Sequence, residues 1–516
     1  MTVLIVIACY LLLLLSLGVL SARFAKQTTS DFFLAGRSIG PFLLFMSLFG
    51  TTMTAFALVG SSGEAYERGI GVYGLMASAS GIIHSAVFFL VGMKLWVFGK
   101  KYGYTTQIQY FRDRFESDSI GLVLFPVLVL LVLPYLLIGL LASGASIFAL
   151  TKGALPGVFA AGAVPPWLGT LVICCVVVTY IFYGGIRGAA WANAFQTCVF
   201  IILGIVAFYM ISDALGGAAK ATQMVLAHKP DLLARSAHIS KFEFATYMLI
   251  PLSVGMFPHL FQHWLTAKSA KSFRLSIIAH PVFIMLVWVP CVLIGVWASS
   301  AMIDGTLVVP DHSRANQVLT ILIRKLLDSP VLTGLLGAGI LAAIMSSLDS
   351  QFLCLGTIFT NDIVLHYADE SKISNVQKVW IARGFIIAIV AVTYVISLFK
   401  PVRVFPLAVW CFTGFSSLFP LVFASIYWKR TTKVGAIASV VTAIGMWLFF
   451  LSKANWGAKS SFLLPEILPF ISASSESMNI TIMPVLPIII CSTLALIIGS
   501  LMSSPPSEKT VAKFFK

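Results

Sequence analysis

The chain has 516 residues, 59% hydrophobic and only 10% charged, with 40 phenylalanines and a mean hydropathy of +0.98. Soluble domains carry roughly 25% charged residues, so a soluble protein is excluded and an all-α polytopic membrane protein is expected, with the lipid bilayer as its surroundings. The formal charge of +15 does not indicate nucleic acid as a partner, because Lys and Arg are scattered through short connections and form no single basic face or tail.

Apolar runs long enough to cross roughly 30 Å of hydrocarbon are predicted near 2–22, 40–60, 73–98, 120–148, 167–184, 190–213, 244–264, 275–302, 331–360, 379–399, 404–427, 434–452 and 481–502, thirteen spans in all. The first exceeds a signal-peptide core of roughly 7 to 15 residues and no basic region precedes it, so it is expected to remain as a helix. The eight cysteines all fall in apolar runs without paired metal-type spacing, and read as small hydrophobes rather than disulfides. After Leu501 only a Ser/Pro stretch and a short basic end follow, so no appended soluble domain is expected.

Basic residues choose the orientation. Arg23, Lys26 and Arg37, then Lys100, Lys101, Arg112 and Arg114, then Arg187, Lys268, Lys271 and Arg274, and later Lys372, Lys378, Arg383, Lys429, Arg430, Lys433, Lys509, Lys513 and Lys516 share one predicted face. That face is read as cytoplasmic, which puts the N-terminus outside and the C-terminus inside a cell membrane. The connection from 214 to 243, with Lys220, Lys229, Arg235 and Lys241, runs against the pattern, and its length and Pro230 suggest a short surface helix.

Two spans are poorly suited to be plain helices. Ser47, Gly50-Thr51-Thr52-Met53-Thr54 and Gly60-Ser61-Ser62-Gly63 stack weak helix formers in the second. Pro251, Gly255 and Pro258 punctuate the seventh. These two open spans two to six and seven to eleven, two sets of five that run in opposite directions. Such a five-plus-five inverted repeat with broken helices places its binding site near the midplane. The expected division is 1–39 as a peripheral helix and loop, 40–240 and 241–430 as the two repeats, and 431–516 as two further helices with a basic tail.

The ninth span carries Ser346, Ser347, Asp349 and Ser350 within an apolar run. Hydrocarbon cannot satisfy such groups, so they must face protein, a cavity or an ion. Hydroxyls and carbonyls suit a hard cation, and the carbonyl of Ala343 lies on the same side as Ser346. The alternative is that the serines bond back to the preceding turn.

The run LAAIMSSLDSQFLCLGTIFTNDI at 341–363, YGGIRGAAWANAFQ at 183–196, LTAKSAK at 265–271, DFFLAGRSIGP at 31–41 and the MSxxxxxMT pattern at 46–54 resemble the sodium/solute symporter family, which includes sodium/proline and sodium/glucose carriers. The resemblance implies Na⁺ as coupling ion, held by the carbonyls of Gly50, Met53 and Ala343 and the hydroxyls of Ser346 and Ser347. Thr52 and Asn193 stand where members of the family carry carboxylates, and Asp349 with Asn193 marks an expected ion release path. It also implies a substrate cavity near Thr52, Thr54 and Phe56, His84, Phe257 and His259, and Trp410, Thr413 and Phe415. Each of these taken singly reads as packing or interhelical bonding, and it is their convergence on one expected cavity that singles them out.

Few carboxylates lie at mid-depth, which disfavours polycationic solutes, and the Asn, Gln and charged groups a sugar needs are sparse. A small organic acid or amino acid imported by alternating access is expected, with a solute sensor or a sugar or vitamin carrier as alternatives. No catalytic or metal spacing and no GxxxxGK[ST] run occurs, so neither an enzyme nor a nucleotide-driven pump is expected. Nor is an organic cofactor or an obligatory protein partner.

Overall fold

Within hydrocarbon the backbone must satisfy its own polar groups, and the apolar runs do so as helices. The structure, a computed structural model, describes the chain except residues 23–27, 78, 160, 304, 310–311, 369–371, 400–401, 460, 469–480 and 516. Arg23, Lys26 and Lys516, counted above among the basic residues of one face, lie outside the described residues.

In chain order the helices used below are α1 (Thr2–Ala22), α2 (Pro41–Thr52), α3 (Ser61–Arg68), α4 (Ser80–Val87), α5 (Met93–Tyr102), α6 (Gln107–Phe115), α7 (Asp118–Thr151), α8 (Pro166–Ala214), α9 (Lys241–Tyr247), α10 (Pro258–Thr266), α11 (Phe273–Ala298), α12 (Pro330–Ile358), α13 (Asn375–Phe399), α14 (Val404–Ser417), α15 (Lys433–Lys453), α16 (Val485–Met502) and α17 (Glu508–Phe515). The expected surface helix in the 214–243 connection is present as Ala218–His228. One two-residue hairpin, Met302–Ile303 with Thr306–Leu307, lies among the helices.

Thirteen spans were expected, but among the described residues ten helical runs are long and apolar enough to cross a membrane, or eleven when a bent pair is counted as one. The difference arises because Phe56–Tyr102, helical up to Met76 and again from Ser80, and Pro166–Ala214 each count as a single span. Both are longer than a bilayer, and each is interrupted at a glycine with positive φ, Gly69 (77°) and Gly185 (52°). Beyond Gly185 the chain folds back on itself. Tyr180 bonds Asp349 and Asn193 bonds Ser350, although thirteen helical residues would separate the two by roughly 20 Å.

The second and seventh spans are broken. α2 stops at Met53 (φ −88°, ψ 80°), and Thr54 turns the chain by accepting from the Phe56 amide at 3.0 Å. Gly60-Ser61-Ser62-Gly63 does not break the helix: the hydroxyls of Ser61 and Ser62 bond back to the carbonyls of Ala57 and Leu58. α9, with the short turn after it, and α10 form the bent pair, at 50°, with Pro258 at the start of α10.

The quoted motifs meet at one end of the bundle. Ile39 and Lys268 exchange backbone bonds with the 266–268 and 39 backbone at 3.0 and 2.9 Å, and Arg187 pairs with Asp31 at 2.5 Å. α17 docks beside them, with Lys513 on Asp113 and Phe514 against Phe98, Tyr102 and Tyr110.

Candidate functional site

At Gly50, the last turn of α2 approaches α8 so closely that a Cβ would clash with Thr197 Oγ1 and press on the Asn193 carbonyl. The missing side chain lets the Gly50 carbonyl reach α12, where the Ser346 hydroxyl donates to it at 2.8 Å. The same hydroxyl stands 3.0 Å from the Ala343 carbonyl, its other acceptor. Three oxygens of the sequence-predicted set thus converge at the break in α2, and all three residues are fully buried. Ser347 instead donates to the Ile344 carbonyl at 3.0 Å, the back-bonded arrangement, and Met53 is buried at the break.

One turn further, Asp349 is fully buried and partnered by hydroxyls rather than by a cation. Tyr180 donates to Oδ2 and Ser350 to Oδ1, each at 3.0 Å. The hydrogen-bond network orients the Asn193 amide with its nitrogen toward this carboxylate, 2.9 and 3.1 Å from the two oxygens and 2.9 Å from the Ser346 carbonyl. His263 joins the cluster. Its Nε2 lies 2.9 Å from Ser350 Oγ and its Nδ1 lies 3.0 Å from Ser47 Oγ. Because Ser350 gives its proton to Asp349, Nε2 is the donor and Nδ1 the acceptor. α10 therefore ties α2 to α12 beside the ion-type site.

A small central cavity of about 30 Å³ lies on the other side of the break, with walls from α4, α7, α9, α11 and α14. Thr52, Phe56, His84 and Phe257 line it as expected from the resemblance. Five expected residues do not. Thr54 serves the turn, with its hydroxyl on the Phe56 amide. His259 stacks behind Phe257 with ring centroids 5.1 Å apart. Trp410 points to the other side of α14, donating to the Ser461 carbonyl at 3.2 Å, and Thr413 is buried outside the lining. Phe415 meets the edge of Phe257 from behind. The α14 residue that faces the cavity is Phe412, roughly 200° around the helix from Trp410.

Sequence reasoning also missed Ser80, Tyr135, Tyr247, Ser253 and Trp288 in the lining, and Ser47, Tyr180 and His263 in the polar cluster. Tyr135 and Trp288 lie in uniformly apolar helices, which have no periodicity to single out one face. For His263 a signal existed, an imidazole within a buried broken span.

The model of the sodium:solute symporter family matches residues 32–443. A sodium/proline symporter of Haemophilus influenzae is 26% identical, over 99% of this chain and 97% of its own. An osmoregulated proline transporter of Bacillus subtilis is 25% identical, over 86% and 87%. Among solved structures, a Na⁺-coupled sialic acid symporter in a substrate-bound outward-open state superposes with a TM-score of 0.70 at 17% identity, over 98% of this chain and 99% of that one. A transporter of the nucleobase-cation-symport-1 family superposes at 0.54 and 13% identity, over 93% and 97%. With a family match over four-fifths of its length, this membrane-integral chain belongs to the sodium:solute symporter family.

Proposed function

We propose that the protein is a sodium-coupled symporter, not an enzyme, that imports a small zwitterionic amino or imino acid by alternating access. The observation that carries this reading is the Ser346 hydroxyl, which bridges the Gly50 carbonyl at the break in α2 and the Ala343 carbonyl on α12. Na⁺ entering here, with Met53 and a rotated Ser347 completing the shell, would favour one relative position of the broken helix and α12. Coupling then follows if the solute binds that arrangement better than its alternative. Asp349 and Asn193 form the inner end of the ion path.

The cavity lining supports a compact solute with an apolar body. It holds aromatic and aliphatic walls, a few hydroxyls and His84, and among the described residues no Asp, Glu, Lys or Arg. A carboxylate is served instead by the amino-terminal end of α10, which opens at Phe257 beside the cavity. The names of the proline-carrying relatives point the same way. At about 30 Å³ the space holds a water or two, so the aromatic walls must part to admit any solute, as alternating access requires.

The two repeats are read as 40–240 and 241–430, flanked by 1–39 and 431–516, in a cell membrane with the N-terminus outside. Uptake of labelled L-proline, other amino acids, monocarboxylates, vitamins and sugars into proteoliposomes, with and without an inward Na⁺ gradient, tests the reading. Sodium-stimulated accumulation of an amino or imino acid is expected. Sodium-independent uptake, or binding without accumulation, would reject symport.

A further inference from the structure

A second cavity is separate from the central one. It measures about 610 Å³ and opens at the end of the bundle where α3 stops and α9 begins, opposite α6 and α17. Among the described residues its walls carry three carboxylates, Glu64, Glu243 and Glu466, and three cations, Arg68, Lys241 and Arg403. The charges balance, which suits a ligand that is itself neutral overall yet carries both signs.

Most of these charges are engaged with one another. Glu64 uses one oxygen on Arg68 at 3.3 Å and the other on Arg403 at 3.0 Å. Arg403 also reaches Glu67 at 2.6 Å. Glu243 differs. Its Oε2 accepts from Arg68 at 2.7 Å, while its Oε1 has no hydrogen-bond partner among the described residues although the side chain is only 2% exposed. Leaving a buried carboxylate oxygen unpaired is unfavourable, so an N–H⁺ donor that reaches Glu243 from this cavity would relieve that cost once the wall around Oε1 gives way.

The cavity also stands at the entrance to the central one. Glu243 and Tyr247 lie one turn apart on α9, about 6 Å along its axis, and Tyr247 lines the central cavity. Across from them Phe56 packs on Phe405 at 5.0 Å and Phe405 on Phe462 at 5.9 Å. Phe56 faces the central cavity and Phe462 the large one. One aromatic layer separates the two.

We infer that this cavity is an antechamber that holds a zwitterionic solute before the aromatic layer opens, with its ammonium on Glu243 and its carboxylate toward Arg403. The inference rests on the amino-acid reading above. In the proposed orientation the antechamber faces outward, so it captures solute at low external concentration and delivers it along α9.

The test is initial-rate uptake of L-proline by the full-length protein in proteoliposomes, comparing wild type, Glu243→Gln and Glu243→Asp. Glu243→Gln is expected to raise KM about tenfold, the loss of one charge-assisted hydrogen bond. Maximal velocity and sodium half-saturation should stay near wild type, melting temperature should fall because the buried bond to Arg68 loses its charge, and Glu243→Asp should fall between the two. An unchanged KM in Glu243→Gln overturns the antechamber alone. So does a fall in maximal velocity at unchanged KM, which would leave Glu243 only its structural bond to Arg68. If wild type neither binds nor carries L-proline, the amino-acid reading fails and the antechamber with it.

Discussion

Replacing Ser346 with alanine removes the side-chain oxygen that stands between the Gly50 and Ala343 carbonyls at 2.8 and 3.0 Å. Without sodium the loss is modest, about 1 kcal/mol for a typical net hydrogen bond, so the variant should insert and fold. With sodium the hydroxyl is one of about five ligands, and a hydrogen bond or ligand to a charged centre is worth about 1.5–3 kcal/mol. That corresponds to roughly a tenfold to hundredfold rise in the sodium concentration giving half-maximal uptake. Ser347→Ala should cost less, because the Ser347 hydroxyl must first leave the Ile344 carbonyl. The two substitutions should combine non-additively, since both hydroxyls would act on one ion. The assay is solute uptake against sodium concentration at fixed ionic strength, paired with sodium-dependent thermal stabilisation of the purified protein. An unchanged sodium half-saturation in Ser346→Ala, with normal folding, would mean that the hydroxyl only bonds across helices.

His263→Ala should leave Ser47 without its acceptor and Ser350 without its donor, lowering thermal stability by about 1–3 kcal/mol. It should also weaken sodium coupling, as read from melting curves and sodium titration of uptake, whereas His263→Gln should recover part of both. Gly185→Ala combines a positive φ with a Cβ 2.8 Å from the Phe32 carbonyl. Backbone strain and overpacking together cost about 2–5 kcal/mol, and a melting temperature equal to wild type would show that the fold-back tolerates a side chain. Glu116, outside the spans, is held below its ordinary value of 4.5 by hydrogen bonds from the Ser507 and Thr510 hydroxyls that anchor α17. A lowered carboxyl stabilises docking above its undocked value, and that contribution is lost as pH falls through the lowered docked value. A spin label at Ala512 should therefore gain mobility below pH 4.5, at a higher pH in Ser507→Ala than in wild type.

Legibility from sequence followed the chemistry of each feature. The two broken spans could be read because Pro251, Pro258 and the Gly50–Thr54 run disfavour helix, although the same bias at Gly60–Gly63 and at Pro126 and Pro281 is overridden by packing. The polar stretch on α12 stood out because it puts a carboxylate among hydroxyls in an apolar run, but only the family resemblance distinguished an ion site from back-bonded serines. The fold-back at Gly185 was anticipated as a gap between two spans. What escaped was rotation and partnership. Helix α14 is buried all round, so nothing in its pattern distinguished Phe412, which faces the cavity, from Trp410, which bonds the Ser461 carbonyl. His259 and His263 sit one turn apart on α10, and only the packing of α2 and α12 decides which makes the polar bridge. Glu243 was not singled out at all, because its buried, half-paired state depends on Arg68, 175 residues away.

The most direct test measures sodium and solute movement together. Proteoliposomes carrying the full-length protein are given radiosodium and labelled L-proline, each with and without the other, and the same is done with Ser346→Ala. Mutual stimulation of the two fluxes in wild type, with the sodium requirement shifted at least tenfold in Ser346→Ala, is the expected result. Solute flux that proceeds equally without sodium, or sodium flux indifferent to every solute in the panel, would contradict sodium-coupled symport through the Gly50–Ser346 site.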